Sequence, residues 1–112
     1  MENKKTLKNK AKLLKIYIGE SDRYKAENLY RAIVKKAKEF GLSGATVLRG
    51  IEGFGLHSDY RSSLIEVLSA DLPIVIEIIE EEEKIKKFLK KISPMINQGL
   101  IVMCDVEVIK HV

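Results

Sequence analysis

From residue 71 the chain reads Asp-Leu-Pro-Ile-Val-Ile-Glu-Ile-Ile, so that Leu72, Ile74, Ile76 and Ile78 fall on one parity and Val75, Glu77 and Ile79 on the other. A period of two places every second side chain on the same face of a strand, and here one face is wholly apolar and the other mixed. Pro73 is compatible with this because the first residue of a strand can forgo its ladder donor. The pattern occurs twice more. Over residues 12–19, Leu14, Ile16 and Ile18 oppose Leu13, Lys15 and Tyr17; over residues 100–109, Leu100, Val102, Cys104, Val106 and Val108 oppose Ile101, Met103, Asp105, Glu107 and Ile109. A chain holding three such strands must cover their apolar sides.

Two stretches have the spacing to do so. Over residues 24–40, Ala26, Leu29, Tyr30, Ile33, Val34, Ala37 and Phe40 recur at intervals of three and four among lysines, arginine and glutamate. That predicts an amphipathic helix, capped by Ser21 or Asp22 and stopped by Gly41 at C′. A second helix is expected to open at Glu80 to Glu83, bury Ile85, Phe88, Leu89 and Ile92, and end at Ser93-Pro94. Its acidic first turn and lysine-rich last turn complement the helix dipole, so the charge run needs no further explanation. Residues 44–52, with Thr46, Val47 and Ile51, supply one more strand, followed by a polar loop over residues 53–63 and a return of apolar character at Leu64, Ile65, Val67 and Leu68.

The order β-α-β-β-α-β specifies an α+β fold: a ferredoxin-like sandwich with a four-stranded antiparallel sheet and both helices on one face. The other sheet face is expected to present Leu13, Tyr17, Val75, Ile79, Ile101, Met103 and Ile109 among Lys15, Glu77, Asp105 and Glu107. So much exposed apolar surface implies packing against other subunits.

Composition narrows the function. With 112 residues, the chain suffices for one domain, and its 32% charged residues fit a folded protein rather than a disordered one. The net charge of +4 points to nucleic acid until it is located: residues 1–10 hold a surplus of three, leaving +1 for the rest. The division expected is a basic tail over residues 1–11 and a folded domain over 12–112, with nucleic acid an unlikely partner. No apolar run is long enough to span a membrane and no secretory leader is evident, so a cytoplasmic location is expected. One cysteine, Cys104, excludes an internal disulfide. On the helix-facing parity assigned above it is expected to be a buried, inert thiol.

The stretch with ligand-binding character is residues 44–55, Gly-Ala-Thr-Val-Leu-Arg-Gly-Ile-Glu-Gly-Phe-Gly. Glycines at a strand end mark a turn, or admit a ligand to backbone N–H groups with no Cβ in the way. Arg49 beside them makes an anion site chemically reasonable. His57, Ser58 and Asp59 are consecutive loop residues without the fixed geometry of a triad, and no P-loop or dinucleotide-binding glycine motif occurs. No enzyme and no metal site is expected.

This stretch resembles the strand leading into the T-loop of PII signalling proteins, sharing their Thr-Val and Gly-Phe-Gly elements. From Leu13 to His111, including Lys15-Ile-Tyr-Ile-Gly-Glu20 and Asp71-Leu-Pro-Ile-Val-Ile-Glu77, the chain is similar to an uncharacterised PII-like family of bacterial and archaeal proteins carrying a domain-of-unknown-function label. The resemblance implies a homotrimer with an adenine nucleotide in clefts between subunits, and a mobile loop that reports occupancy to a partner, for this family a membrane transporter or channel. Carried onto this chain, the ligand-binding set is Thr46, Arg49, Gly50, Gly53, Phe54, Gly55 and Arg61. The chain departs from PII proteins in the loop before its last strand, residues 93–99, which has no basic residue to grip phosphate. The alternative is a divalent-metal-binding or structural trimer resembling the copper-tolerance proteins, resting on His57, His111 and an acidic open face.

Overall fold

The computed structural model describes residues 6–7, 9–55 and 71–112. Most of the loop over residues 53–63 lies outside them, including His57, Ser58, Asp59, Tyr60 and Arg61, as do Leu64, Ile65, Val67 and Leu68.

Four strands form one antiparallel sheet: β1 (Lys10–Gly19), β4 (Thr46–Arg49), β5 (Pro73–Glu80) and β6 (Leu100–Glu107), in the order β4-β5-β1-β6. The two long central strands pair over eight residues, from Lys12 opposite Glu80 to Gly19 opposite Pro73. Helices α1 (Leu29–Phe40) and α2 (Glu82–Ile92) cover one face. Between the layers lies a core of Leu14, Ile16 and Ile18 from β1, Ile74, Ile76 and Ile78 from β5, and Leu29, Ile33, Ile85, Phe88 and Ile92 from the helices. The Phe40 and Phe88 rings meet at 5.8 Å, tilted by 56°, where the helices touch. This is the expected α+β, ferredoxin-like arrangement, with both central strands facing as their alternation predicts.

Several expectations need correction. The first helix begins at Leu29, five residues later than expected, because Arg23–Tyr24 (β2) and Glu27–Asn28 (β3) form a small hairpin turned by Lys25 at φ 56°. Neither Ser21 nor Asp22 caps α1: Asn28 holds the N-cap position without a side-chain cap bond, and the Asp22 carboxylate accepts from the Gly19 N–H at 2.9 Å. Gly41 does end α1, at φ 84°, with its N–H and that of Leu42 donating to Lys38 and Ala37 carbonyls at 3.1 Å each.

Glu80 does not open α2. It is the last residue of β5, and its carboxylate is buried between the layers, accepting from the Ser43 N–H at 2.8 Å and the Glu81 N–H at 3.2 Å. Ser43 returns a hydroxyl bond to the Ile79 carbonyl at 3.0 Å, so the turn after α1 is tied to the end of β5.

The second strand is β4 alone, four residues long and exposed on both sides, rather than residues 44–52. An edge strand has one neighbour for its ladder, and beyond one further bond at Gly50 the chain that follows does not continue it.

The faces of β6 are the reverse of those expected. Met103 stands opposite Leu14 and Ile101 opposite Ile16, so Ile101, Met103 and Asp105 share the helix-covered side. Leu100, Val102, Cys104 and Val106 lie on the open side, opposite Tyr17, Lys15, Leu13 and Ala11. A shift of one residue exchanges every side chain between faces, and both parities of β6 are apolar enough to have been read either way. Cys104 is therefore exposed rather than buried. Asp105 leaves the open face for an ion pair with Lys12.

The open face thus carries Leu48 from β4, Val75 and Ile79 from β5, Leu13 and Tyr17 from β1, and Leu100, Val102, Cys104 and Val106 from β6. Its ladder charges are Lys15 and Glu77, directly opposite one another and 3.8 Å apart. The face is more apolar than the sequence reading made it.

Candidate functional site

The backbone leaving β4 turns where the glycines predicted. The Gly50 N–H donates to the Pro73 carbonyl at 2.8 Å, extending the β4–β5 pairing by one bond. Beyond it the chain folds against the Pro73 ring: a Cβ on Gly50 would lie 2.8 Å from Pro73 Cγ, and one on Gly53 3.1 Å from the same atom. Close approach, rather than a positive φ, is what these two glycines supply. Gly55 has φ +106°, a region that side chains rarely enter, and Phe54 between them is fully exposed.

Opposite this segment stands the end of the loop before β6. Gly99 has φ +154°, and a Cβ there would meet the Tyr17 carbonyl oxygen at 2.7 Å. Gly53, Phe54 and Gly55 join Tyr17, Pro73, Gly99 and Leu100 around an open cavity of about 240 Å³. Two phenyl-type rings, a proline ring and bare glycine backbone suit a flat, partly apolar ligand.

Arg49, the last residue of β4, does not line this cavity; it stands opposite Ile74 on the helix-covered parity, 60% exposed, with Nη1 donating to Glu20 Oε2 at 2.8 Å. Glu20 sits in the turn that follows β1. Its N–H donates to the Leu72 carbonyl at 2.9 Å, and the N–H of Ser21 to Asp71 Oδ1 at 2.8 Å. The β1 turn consequently grips both chain segments that flank residues 56–70.

Of the residues expected at the site, Arg49, Gly50, Gly53, Phe54 and Gly55 lie along one end of the sheet. Thr46 lies at the other end of β4. There, with Ser43, Glu77, Ile79 and the C-terminal residues Val106 to His111, it lines a larger cavity of about 530 Å³ on the open face. His111 in that cavity accepts the Leu7 N–H on Nδ1 at 2.7 Å. Arg61 is outside the described residues. Sequence reasoning missed Glu20, Tyr17, Pro73 and Gly99; the only local sign was a glycine directly before a strand at Gly99.

A third cavity, about 750 Å³, lies on the helix side at the edge of β6 and is lined by Lys10, Lys12, Glu81, Glu82, Asp105 and Glu107 among others. Lys12 pairs with Asp105 and reaches Glu82 at 3.7 Å. The bond from Lys12 holds the Asp105 carboxyl below the usual range and raises Lys12 in turn. Glu82 is lowered first by Lys86, 3.1 Å away and one helical turn on, and then by Lys12. These are structural ion pairs whose charges satisfy one another.

Among the described residues no three His, Cys, Asp or Glu side chains are grouped to hold a metal ion. Nor, among them, is any helix long and apolar enough to cross a membrane.

The DUF190 family model, described as "Uncharacterized ACR", matches residues 11–108. Similar curated proteins include a "UPF0166 protein" of Aquifex aeolicus, 46% identical over 89% of this chain and 94% of that one. Another, from Methanocaldococcus jannaschii, is 42% identical over 90% and 94%. Among solved structures, CPII of Thiomonas intermedia "bound to ADP and bicarbonate" superposes with a TM-score of 0.63 at 21% identity, covering 88% of each chain. The same protein "bound to ADP, AMP and acetate" gives 0.66 at 18%, covering 91% of each. A "putative PII-like signaling protein" of Thermus thermophilus gives 0.62 at 18%, covering 89% of this chain and 90% of that one.

Proposed function

The chain belongs to the DUF190 family and has a PII-like fold, and from that premise we propose that it is a PII-like regulatory protein rather than an enzyme. It assembles as a homotrimer through the open sheet face and binds an adenine nucleotide at clefts between subunits. The observation that carries the reading is the continuity of two features: an apolar sheet face relieved by one ion pair, and at its end a cavity walled by Gly53, Phe54, Gly55 and Tyr17, with Arg49 at the same end of the sheet, directly before Gly50. An exposed apolar area of this kind favours association, and subunits closing on it turn shallow end cavities into clefts. The relatives in fold that hold ADP and AMP supply the ligand class.

Arg49 and the N–H groups of residues 51–55 meet the phosphates, Gly50 contributing close approach because its own N–H is spent on the Pro73 carbonyl, and Arg61 joins as residues 53–63 order around the ligand; Thr46 enters from the other end of β4. The loop reports occupancy to a partner, a membrane transporter or channel on the family resemblance. The folded domain begins with β1 at Lys10, two residues before the start expected from the sequence, the lysine-rich residues before it form a basic tail, and the location is cytoplasmic. Metal binding as the alternative has no cluster among the described residues to support it.

The test is sedimentation with isothermal calorimetry. The expected mass is three times the 12.7 kDa subunit, with saturable binding of AMP, ADP or ATP. Arg49→Ala removes a charge-assisted bond of ~1.5–3 kcal/mol, so affinity falls about tenfold or more while the trimer persists. A wild-type protein that binds none of the three nucleotides overturns the ligand assignment; a lone subunit at working concentration overturns the assembly.

A further inference from the structure

We infer that Glu20 is a specificity-determining residue of this site: it competes with the ligand for Arg49 and so penalises phosphate groups according to their charge. The inference rests on the anion-binding reading of Arg49 and adds a residue that neither the sequence motif nor the family resemblance assigned.

The geometry is asymmetric. Glu20 is fixed by its backbone, donating through N–H to the Leu72 carbonyl at 2.9 Å and accepting from Asn28 Nδ2 at 3.2 Å through its carbonyl. On either side of it, the N–H groups of Gly19 and Ser21 are bound to Asp22 Oδ2 at 2.9 Å and Asp71 Oδ1 at 2.8 Å. The Glu20 side chain is only 28% exposed. Arg49, on a short edge strand and 60% exposed, is the partner free to swing.

An anion settling against residues 50–55 therefore has to draw the guanidinium away from a carboxylate that stays behind. Two costs follow: the lost ion pair, and repulsion between the stranded Glu20, backed by Asp22 and Asp71, and the incoming phosphate. The first is the same for every ligand that uses Arg49. The second grows with each added phosphate charge, so a monophosphate is disfavoured least and a triphosphate most.

Glu20→Gln tests this, because the amide keeps an oxygen for Arg49 and leaves every backbone bond of the turn in place. Calorimetry with adenosine, AMP, ADP and ATP on wild type, Glu20→Gln, Arg49→Gln and the double variant gives the readout, with thermal unfolding as the fold control. The expected result is ADP binding about three- to tenfold tighter in Glu20→Gln, because a weakened surface pair is easier to break and the repulsion is relieved. The gain should increase from AMP to ATP, be absent for adenosine, vanish in the Arg49→Gln background and shrink as salt is raised. Binding that appears in Glu20→Gln where the wild type has none also supports the competition. Wild-type binding that Glu20→Gln leaves unchanged or weakens overturns it while the ligand assignment stands. Absence of nucleotide binding in both proteins overturns the two together.

Discussion

On the helix side of the sheet Leu14, Ile16, Ile18, Ile74, Ile76 and Ile78 are all 2% exposed or less, whereas across the same backbone Leu48, Ile79, Leu100 and Val102 remain 38–54% exposed. The residue types hardly differ. What differs is the partner: α1 and α2 bring Ile33, Ile85, Phe88 and Ile92 to one face, and no segment among the described residues is laid over the centre of the other. Burial of apolar area drives both chain folding and chain association. A sheet with two apolar faces and one helical layer has thus divided that driving force, closing one face within the subunit and leaving the other available to a second body. The cavity walled by Tyr17, Gly53, Phe54, Gly55 and Leu100 opens at the end of that second face.

The sharpest way to break this contrast uses two neighbours in β5. Ile78 is buried under the helices and Ile79 points to the open face. Ile78→Lys places an ammonium group among Leu and Ile side chains, where the one buried carboxylate on that face, Glu80, is already held by the Ser43 and Glu81 N–H groups. A buried unpaired charge belongs to the class of substitutions costing more than ~4 kcal/mol, enough to unfold a domain of this size. Circular dichroism and urea titration should find Ile78→Lys unfolded or nearly so. A variant that folds with less than ~1 kcal/mol lost would mean that the helix layer is not packed as described.

Ile79→Lys has the next largest effect, and of a different kind. The side chain stands opposite Leu13 and beside solvent, so an ammonium group there keeps its hydration in the separate subunit. Subunit stability should change by no more than ~1 kcal/mol, while sedimentation shows the assembly dissociating at concentrations where wild type stays whole. The discriminating failure is an Ile79→Lys protein that still assembles at wild-type affinity. That would put the subunit contact elsewhere and leave the open face without its proposed role.

The same contrast explains how much could be read in advance. Alternation in residues 14–18 and 74–78 was unambiguous because one parity was entirely apolar, and it carried the central strands, the core and the fold. In β6 both parities hold apolar residues, Ile101 and Met103 on one and Leu100, Val102 and Val106 on the other, so only pairing with β1 decides the face. Four consecutive glutamates suggested a helix start, and only the three-dimensional turn at Ser43 shows why the first of them belongs to a strand and is buried. At the candidate site the glycines announced themselves, since close backbone approach requires them. Glu20 did not, being 29 residues from Arg49, and an ion pair between distant loops leaves no local periodicity. The Gly99 loop lacks the basic residues of a phosphate grip, yet its glycine is fixed by contact with Tyr17, which only the packed sheet reveals.

The smallest effect concerns the edge of the closed face, where charges rather than packing meet solvent. Asp105 and Glu82 have carboxyl groups held below their ordinary values of 3.8 and 4.5, Asp105 by its bond from Lys12 and Glu82 by Lys86 and then Lys12. A carboxyl lowered in the folded state binds its proton less readily than in the unfolded chain. Its contribution is present above the ordinary value and disappears as pH falls through the lowered one. Lys12 and Lys86 are raised above 10.5 by the same partners, so their contribution is complete below that value and is lost as pH climbs through the raised one. Between these limits the four groups make stability flat in pH; below about pH 4 it should fall. All four lie at the surface, so the decline is slight and salt reduces it. Urea midpoints at pH 7 and pH 3, for wild type and Asp105→Asn, check the assignment: the variant should lose less on acidification. An equal loss in both would place the acid sensitivity at carboxylates other than Asp105.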